Sequence, residues 1–185
     1  MSTLSCSESI TFTAGEIEII THKDSSKILP LYTIDDPQDT VVLRAVAPDL
    51  NKADIKSEYF SILKERLLET VNDTTNPGVG IAAPQVGISK RLILVQRVDK
   101  KGEPFKFYIN PYIIEYSKEC ELGGEGCLSV PNRHEEVMRS TKIVVSYIDE
   151  KTFKPKRDTV SGYTAVIFQH EIDHLNGILY IDRLK

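Results

Sequence analysis

The most informative stretch of this sequence is Gln169-His170-Glu171-Ile172-Asp173-His174-Leu175, which contains an HExxH pattern. Side chains four residues apart lie on one face of a helix, so the imidazoles of His170 and His174 can reach the same metal ion. Glu171 is offset by one position, which places its carboxylate beside a metal-bound water rather than on the metal. Such ions lower the pKa of bound water, and a neighbouring carboxylate can move the proton. The pattern therefore indicates a metal-dependent hydrolase with Glu171 as general acid/base.

This stretch has three other interpretations, and each predicts features that would be visible in the sequence. The first is an exposed helix face that carries two unrelated histidines without a function, and such a chance match is uncommon in a chain with only four histidines. A zinc endopeptidase would take a third ligand downstream of His174, where the sequence has no His and only Asp182 as an acidic residue. A non-catalytic metal-binding module would need four protein ligands and would have no use for Glu171.

A catalytic site needs a third protein ligand, and the search therefore moves upstream. Cys127 is the best candidate because a thiolate is a strong ligand for borderline metals. It lies in the glycine-rich stretch Gly123-Gly124-Glu125-Gly126-Cys127-Leu128-Ser129, where the backbone can come close to an ion or a substrate. A small buried residue in a glycine turn is the alternative interpretation of Cys127.

A third segment, Gly78-Val79-Gly80-Ile81-Ala82-Ala83-Pro84-Gln85, combines small residues with one amide side chain. The small residues allow another strand or a substrate peptide to approach, and Gln85 offers an amide donor. The segment lacks the Lys of a P-loop and the spacing of a dinucleotide-binding loop. A tight turn that leads into a strand at Arg91 is the alternative interpretation.

Two helices are predicted from the periodicity of apolar residues. The first covers residues 51–73, with Asn51 as its N-cap and Asn76-Pro77-Gly78 as its stop. The second covers residues 162–175, carries the HExxH pattern and ends before Asn176-Gly177.

Strands are predicted before and between these helices. Four strand candidates lie between them, at residues 91–98, 104–116, 142–149 and 153–160. The first contains the run Leu92-Ile93-Leu94-Val95, the third is rich in Val, Ile and Tyr, and the fourth would pair back after a turn at Glu150-Lys151. The second candidate is expected to break near Asn110-Pro111. Ile17–Ile20 and Ile28–Ile34 are predicted as two short strands nearer the N-terminus. The order of a helix, several antiparallel strands and a helix predicts an α+β fold.

Composition restricts the class of protein. The chain has 185 residues, 41% hydrophobic and 27% charged, with a formal net charge of −4. We therefore expect one domain over residues 1–185. A mildly acidic chain argues against a dedicated nucleic-acid binder. The sequence contains no apolar run that could span a membrane and no intact signal peptide, so we expect a cytoplasmic protein.

The three cysteines, Cys6, Cys120 and Cys127, are an odd number at irregular spacing and do not indicate a disulfide framework. A reducing compartment fits this usage better, and there a Cys that accompanies His residues is more often a ligand or a nucleophile. Cys6 follows Leu4 and Ser5, as in the end of a lipoprotein signal, but we expect a free thiol on a loose N-terminus.

Together, the three segments resemble the peptide deformylase family. The resemblance rests on the glycine–alanine–glutamine segment that ends at Gln85, on Glu125-Gly126-Cys127-Leu128-Ser129, and on the HExxH stretch at residues 169–175. The segments follow one another in the family's order, and the similarity covers roughly Asp36 to Leu184. Three motifs in register are far more specific than HExxH alone.

The resemblance implies an enzyme of protein biosynthesis that removes the N-formyl group from nascent polypeptides beginning with formyl-methionine, at the ribosome exit. It implies a fold in which antiparallel β-sheets surround the helix that carries His170 and His174, with an N-terminal helix beside them. It also implies one divalent metal per chain, Fe(II) in vivo, with Zn, Ni or Co in its place in a purified sample. Neither sequence-specific nucleic-acid binding nor a membrane is expected.

The resemblance further implies a role for each site residue. Cys127, His170 and His174 hold the metal, and Glu171 serves the attack of metal-bound hydroxide on the formyl carbon as general acid/base. The Gln85 amide and the backbone N–H of Leu128 join the metal in holding the oxyanion. Six residues are expected to bind substrate: Val79, Gly80, Ile81, Gly126, Val166 and Ile167. Glu125 is expected to pair with Arg139 behind the cysteine loop.

Some features depart from the family's pattern. Residues 1–30 precede the usual family start and are expected to form an N-terminal extension, and Asp39-Thr40-Val41 is expected to be a small insertion. His134, with Arg133 adjacent, stands where many bacterial members carry an Arg, which affects the expected binding of the substrate backbone. An inactive peptide-binding homologue would have lost a ligand or the Glu, and neither is lost here.

Overall fold

The computed structural model describes residues 9–22, 27–75 and 77–184. Cys6 and Asn76, on which two of the expectations above fall, lie outside the described residues. The described chain contains five α-helices: α1 (Ala14–Thr21), α2 (Pro37–Leu43), α3 (Lys52–Lys56), α4 (Glu58–Val71) and α5 (Tyr163–Leu175). It contains seven strands: β1 (Gly80–Ala82), β2 (Leu92–Gln96), β3 (Phe105–Tyr116), β4 (Cys120–Cys127), β5 (Val130–Ser140), β6 (Lys142–Asp149) and β7 (Pro155–Ser161). Two short 3-10 helices lie at Ala83–Val86 and Tyr180–Arg183.

The strands form two antiparallel sheets around α5. One sheet has the order β1-β2-β3-β6-β7, and the other is the β4-β5 hairpin. Helix α5 contacts strands of both sheets, and α4 lies beside β1. The α+β prediction is confirmed, as is the arrangement of antiparallel sheets around the C-terminal helix.

The core is divided by the larger sheet. In β2, Leu92 and Leu94 pack into a cluster with α4, whereas Ile93 and Val95 pack into a cluster with α5. Successive strand residues face opposite sides of a sheet, so a strand covered on both faces reads as a continuous apolar run. Helix α5 therefore packs against the Ile93 and Val95 face of a strand whose first four residues are buried.

The N-terminal helix is divided in two. Asn51 caps α3 as predicted, accepting a hydrogen bond from the Asp54 N–H while the Asp54 carboxylate accepts from the Asn51 N–H. The chain then adopts an extended conformation at Ser57, whose hydroxyl accepts from the Phe60 N–H and so begins α4. The prediction of one uninterrupted helix over residues 51–73 is wrong because Ser57 acts as a second N-cap.

Neither strand predicted near the N-terminus is present. Ile17–Ile20 lie in α1, which begins with a capping box between Thr13 and Glu16. The Thr-x-x-Glu spacing was the signal for a helix here. Residues 28–34 contain no strand. Their backbone bonds to several separate segments instead, for example from the Tyr32 N–H to the Gln85 carbonyl and from the Ile34 N–H to the Ser129 carbonyl.

The later strands match their predicted positions with small differences. Strand β3 continues through Asn110 rather than breaking, because Asn110 takes a positive φ of 49° in a bulge and its side chain bonds both backbone groups of Leu50. The strand predicted to start at Phe153 begins at Pro155. Helix α5 ends as predicted, before Gly177, whose φ is 71°. No helix in the described part of the chain is long and apolar enough to cross a membrane.

Candidate active site

One Cys and two His side chains converge where α5 meets the end of β4. The ligand atoms of Cys127, His170 and His174 all lie within 4.8 Å of one another, and the Cys127 Sγ is 3.3 Å from the His174 Nε2. The two imidazoles come from successive turns of α5, and the thiol comes from a strand 47 positions before His174. Local helical geometry therefore aligns two of the three groups, and sheet packing brings the third.

These residues fit a divalent metal ion. A thiolate and two imidazoles are the donors that borderline ions such as zinc and iron prefer, and three protein donors leave a coordination position open for chemistry. The His170 Nδ1 is 2.8 Å from the Glu125 Oε2, which leaves the Nε2 of that ring for a metal. The donor set and its orientation are therefore those of a catalytic rather than a structural metal site.

Glu171 is held against the cluster by the close approach of β1. A Cβ added at Gly80 would lie 2.6 Å from the Glu171 Oε1, so only glycine lets the strand cross this carboxylate. The Glu171 Oε2 is buried and has no hydrogen-bond partner among the described residues. Burial raises the pKa of Glu171 to about 7. A buried carboxyl group with a free oxygen is suited to accepting and returning a proton.

Gln85 points its amide nitrogen at the same cluster. The Gln85 Oε1 accepts a hydrogen bond of 2.9 Å from the Ala82 N–H, which orients the side chain. The Nε2 then lies 3.5 Å from the Cys127 Sγ and 3.3 Å from the Ser129 hydroxyl. An oriented, buried amide donor beside this thiol and the imidazoles is suited to holding a carbonyl oxygen.

A buried ion-pair network supports the cluster from behind. Arg139 donates two hydrogen bonds to Glu125, of 2.7 and 3.0 Å, and one of 2.5 Å to Asp173, which also receives two from Arg183. Burial alone would raise the pKa of Glu125, but the hydrogen bonds from His170 and Arg139 lower it to about 2. Glu125 is therefore an anion that fixes the ring of His170.

A cavity of about 640 Å³ opens onto these groups. Most of the residues predicted to bind substrate line it: Val79, Gly80, Gly126, Val166 and Ile167, together with Gln85 and Leu128. Ile81 does not line the cavity, which contradicts the prediction that it binds substrate. Its side chain is fully buried in the cluster with α4, because it faces the opposite side of β1 from the cavity.

Sequence reasoning missed several residues at the site. Tyr180 stacks on the His170 ring at a centroid distance of 6.0 Å and donates to the Arg133 carbonyl. Tyr163 lines the cavity from the first turn of α5, and His134 lines it opposite Gly126. No sequence signal identifies Tyr180 or Tyr163, since both reach the site only through packing. His134 was recognised only as a departure from the family's pattern.

The α+β fold and this cluster, an HExxH helix beside a cysteine from an upstream strand, define a metallohydrolase of the HExxH type. A family model described as polypeptide deformylase matches residues 28–185. The chain is 41% identical to a peptide deformylase of Synechocystis sp. over 144 residues, which cover 77% of this chain and 74% of that protein. The chain belongs to the polypeptide deformylase family.

Other relatives and solved structures agree. A peptide deformylase of Rhizobium meliloti is 40% identical over 160 residues, covering 85% of this chain and 86% of that protein. The Met-Ala-Ser-bound class I type b peptide deformylase from Acinetobacter baumannii superposes with a TM-score of 0.74 at 34% identity, covering 85% of this chain and 98% of that one. The Thermotoga maritima peptide deformylase gives 0.73 at 38% identity, with the same coverage.

Family membership establishes the activity. The protein is a hydrolase that removes the N-terminal formyl group from nascent peptides, a step of protein biosynthesis. The family depends on a metal ion, so the enzyme uses a divalent metal.

Proposed function

We propose that Cys127, His170 and His174 hold one divalent ion per chain, which is Fe(II) in vivo and can be replaced by Zn, Ni or Co in a purified sample. Support comes from the convergence of one thiolate and two imidazole donors within 4.8 Å. The pairing of the His170 Nδ1 with Glu125 adds to this, because it fixes which ring nitrogen remains for the ion. When bound, the ion lowers the pKa of a coordinated water and polarises the formyl oxygen.

Glu171 is the general acid/base in this proposal. Its buried Oε2, which has no partner among the described residues, accepts the proton of the attacking water. The same oxygen then returns that proton to the departing amine of the substrate. This unpartnered carboxylate oxygen beside the thiolate–imidazole cluster is the observation that carries the mechanism.

Two donors of the chain hold the developing oxyanion. The Gln85 Nε2 is already aimed at the cluster by the bond between its Oε1 and the Ala82 N–H. The backbone N–H of Leu128, next to Cys127 in the cavity wall, is the second donor. Because removal of one such donor typically lowers kcat by ~10²–10³, Gln85→Ala should fall in this range.

The substrate backbone binds as an added strand between the two sheets. Strand β1 is an edge of the larger sheet and β4 belongs to the separate hairpin, so Val79, Gly80 and Gly126 present backbone to the cavity. The methionine side chain enters the part of the cavity lined by the half-buried Val166 and the buried Ile167 of α5. The Acinetobacter baumannii relative is bound to Met-Ala-Ser, and we infer peptides that begin with formyl-methionine as substrates here, met at the ribosome exit in the cytoplasm.

The experiment is a deformylation assay with formyl-Met-Ala-Ser on anaerobically prepared Fe(II) protein beside a chelated sample. Chelation should abolish turnover. Glu171→Ala should keep stoichiometric metal and lose at least ~10²–10⁴ in kcat. Cys127→Ala should lose the metal itself, whereas Cys120→Ala, at an exposed cysteine, is the matched control and should keep both metal and activity.

Two results would contradict the proposal. Full turnover by Glu171→Ala would exclude it as the acid/base, and turnover unaffected by chelation would exclude the metal. An endopeptidase is tested in the same assay with an unformylated peptide, which should remain uncleaved.

A further inference from the structure

The segment that precedes the family region contacts the turn that follows Gln85. The family match begins at residue 28, but Glu16 in the first turn of α1 is buried and its Oε1 accepts a 2.8 Å hydrogen bond from the Ser89 N–H. The other carboxylate oxygen of Glu16 accepts from the Thr13 N–H, also at 2.8 Å. One carboxylate therefore joins the start of α1 to a turn four residues after Gln85.

A second contact holds the same turn from the same segment. The ammonium group of Lys90, which is 4% exposed, donates to the Thr11 carbonyl at 2.8 Å and to the Thr11 hydroxyl at 2.7 Å. Thr11 in turn donates from its N–H and its hydroxyl to the buried carboxylate of Asp54. The Phe12 ring lies 5.4 Å from the Lys90 nitrogen. Because a buried ammonium group is costly to leave without partners, this contact resists opening.

The turn between Gln85 and these contacts is closed by backbone hydrogen bonds. Gly87 takes a positive φ of 81°, and its N–H and that of Ile88 bond back to the Pro84 and Ala83 carbonyls. A movement at Ser89 or Lys90 is therefore passed to the 3-10 helix that carries Gln85 rather than absorbed by the chain between them.

We propose that residues 11–16 are a positioning element for the Gln85 amide, acting through the Ser89 and Lys90 turn. The proposal rests on the function proposed above for Gln85 as an oxyanion donor. A misplacement of a catalytic group by about 1 Å can lower the rate by ~10². Residues that hold such a donor should therefore affect kcat even though they touch no substrate.

The test compares Glu16→Ala and Glu16→Gln with Glu18→Ala, an exposed glutamate of the same helix. Each variant is prepared with Fe(II), its metal content is matched, and kcat and KM are measured with formyl-Met-Ala-Ser. Glu16→Ala should lower kcat about tenfold with KM nearly unchanged, because it affects a contact made in the transition state. Glu16→Gln keeps one of the two acceptors and should fall between Glu16→Ala and wild type. Glu18→Ala should match wild type.

A double-mutant cycle with Gln85→Ala separates positioning from simple stabilisation. In the Gln85→Ala background, Glu16→Ala should lower kcat by less than about twofold further, because the group it positions is gone. Amide hydrogen exchange at Ser89 should accelerate in Glu16→Ala and not in Glu18→Ala. If Glu16→Ala does not fold, the same double-mutant cycle is measured with Glu16→Gln and with Thr11→Val. Thr11→Val removes the hydroxyl that accepts a hydrogen bond from Lys90.

The outcomes distinguish the two proposals. If the losses in kcat from Glu16→Ala and Gln85→Ala are additive, the positioning element alone is overturned. The same follows if every folded Glu16 and Thr11 variant has a wild-type kcat while Gln85→Ala is impaired. Full activity in Gln85→Ala would instead overturn the proposed role of Gln85, on which the positioning element depends.

Discussion

Arg139 and Arg97 occupy matching environments near opposite ends of helix α5. Each guanidinium group is buried and forms a two-pronged pair with one carboxylate, Glu125 for Arg139 and Asp99 for Arg97. Each also reaches a second carboxylate, Asp173 or Asp158 respectively. The two networks differ in what the first carboxylate contacts next.

That next contact separates a catalytic support from a structural one. Glu125 continues to the His170 ring, whereas Asp99 lies 3.3 Å from the hydroxyl of Thr164 in the first turn of α5. Arg97 also donates to the Tyr108 hydroxyl within the core. The same kind of ion pair therefore orients a proposed metal ligand in one place and anchors a helix end in the other, and burial alone does not reveal which.

The largest effect should come from removing each arginine. Arg139→Met leaves the buried carboxylates of Glu125 and Asp173 without their partner, which should lower the free energy of unfolding of the metal-free protein by about 3–5 kcal/mol. Arg97→Met leaves the partly exposed carboxylates of Asp99 and Asp158 without theirs, so its loss should be smaller. Only Arg139→Met should also weaken metal binding, by ~10–100-fold, because it releases the carboxylate that holds His170. Urea unfolding and metal titration measure the two quantities. Equal loss of metal affinity in both variants would remove the distinction.

A smaller effect is expected from the carboxylates. Glu125→Gln should lower metal affinity by ~10–100-fold, since a neutral amide orients the His170 ring less strongly and makes it a weaker base. Asp99→Asn changes the corresponding group of the other network and should leave metal affinity unchanged. Competition titration against a coloured chelator gives both values, and an unaltered affinity in Glu125→Gln would contradict the role of this pair.

The smallest effect is the acid sensitivity of the Arg97 network. Hydrogen bonds from Arg97 hold the pKa of Asp99 well below its usual value near 4. A carboxylate whose pKa is lower in the folded state contributes stability above its unfolded pKa and loses it as the pH falls toward the folded one. At pH 7, wild type should exceed Asp99→Asn in unfolding free energy by about 1 kcal/mol, because Asp99 is partly solvated. Unfolding at several pH values should show this difference shrinking below about pH 4, and a constant difference would contradict it.

Sequence patterns found the elements whose signal is local. The four-residue spacing of His170 and His174 identified both α5 and two of the three converging groups, because a helix repeats every 3.6 residues. Asn51 was also recognised as an N-cap, because capping depends on residues that are close together in the chain. The errors arose where a short apolar run fits either a helix or a strand, as at Ile17–Ile20.

The side of β1 that faces the cavity could not be assigned in advance. Ile81 was placed in the site on the resemblance to the family, as part of the apolar pocket for the methionine side chain, but the strand that carries it is only three residues long. Which face of so short a strand is buried against α4 depends on its pairing with β2, and a shift of one residue reverses every side chain.

By itself, the sequence determined the helix with its paired histidines, the acidic residue between them and the identity of the family, because these depend on residue type at short or motif-fixed spacing. Cys127 and the Glu125–Arg139 pair were also expected from the sequence and its resemblance. Only the tertiary structure decided how close the Cys127 thiol lies to the two imidazoles, that Arg97 forms a matching pair away from the site, and that residues 11–16 contact the turn after Gln85. These relations depend on how separate elements pack together, which no local periodicity encodes.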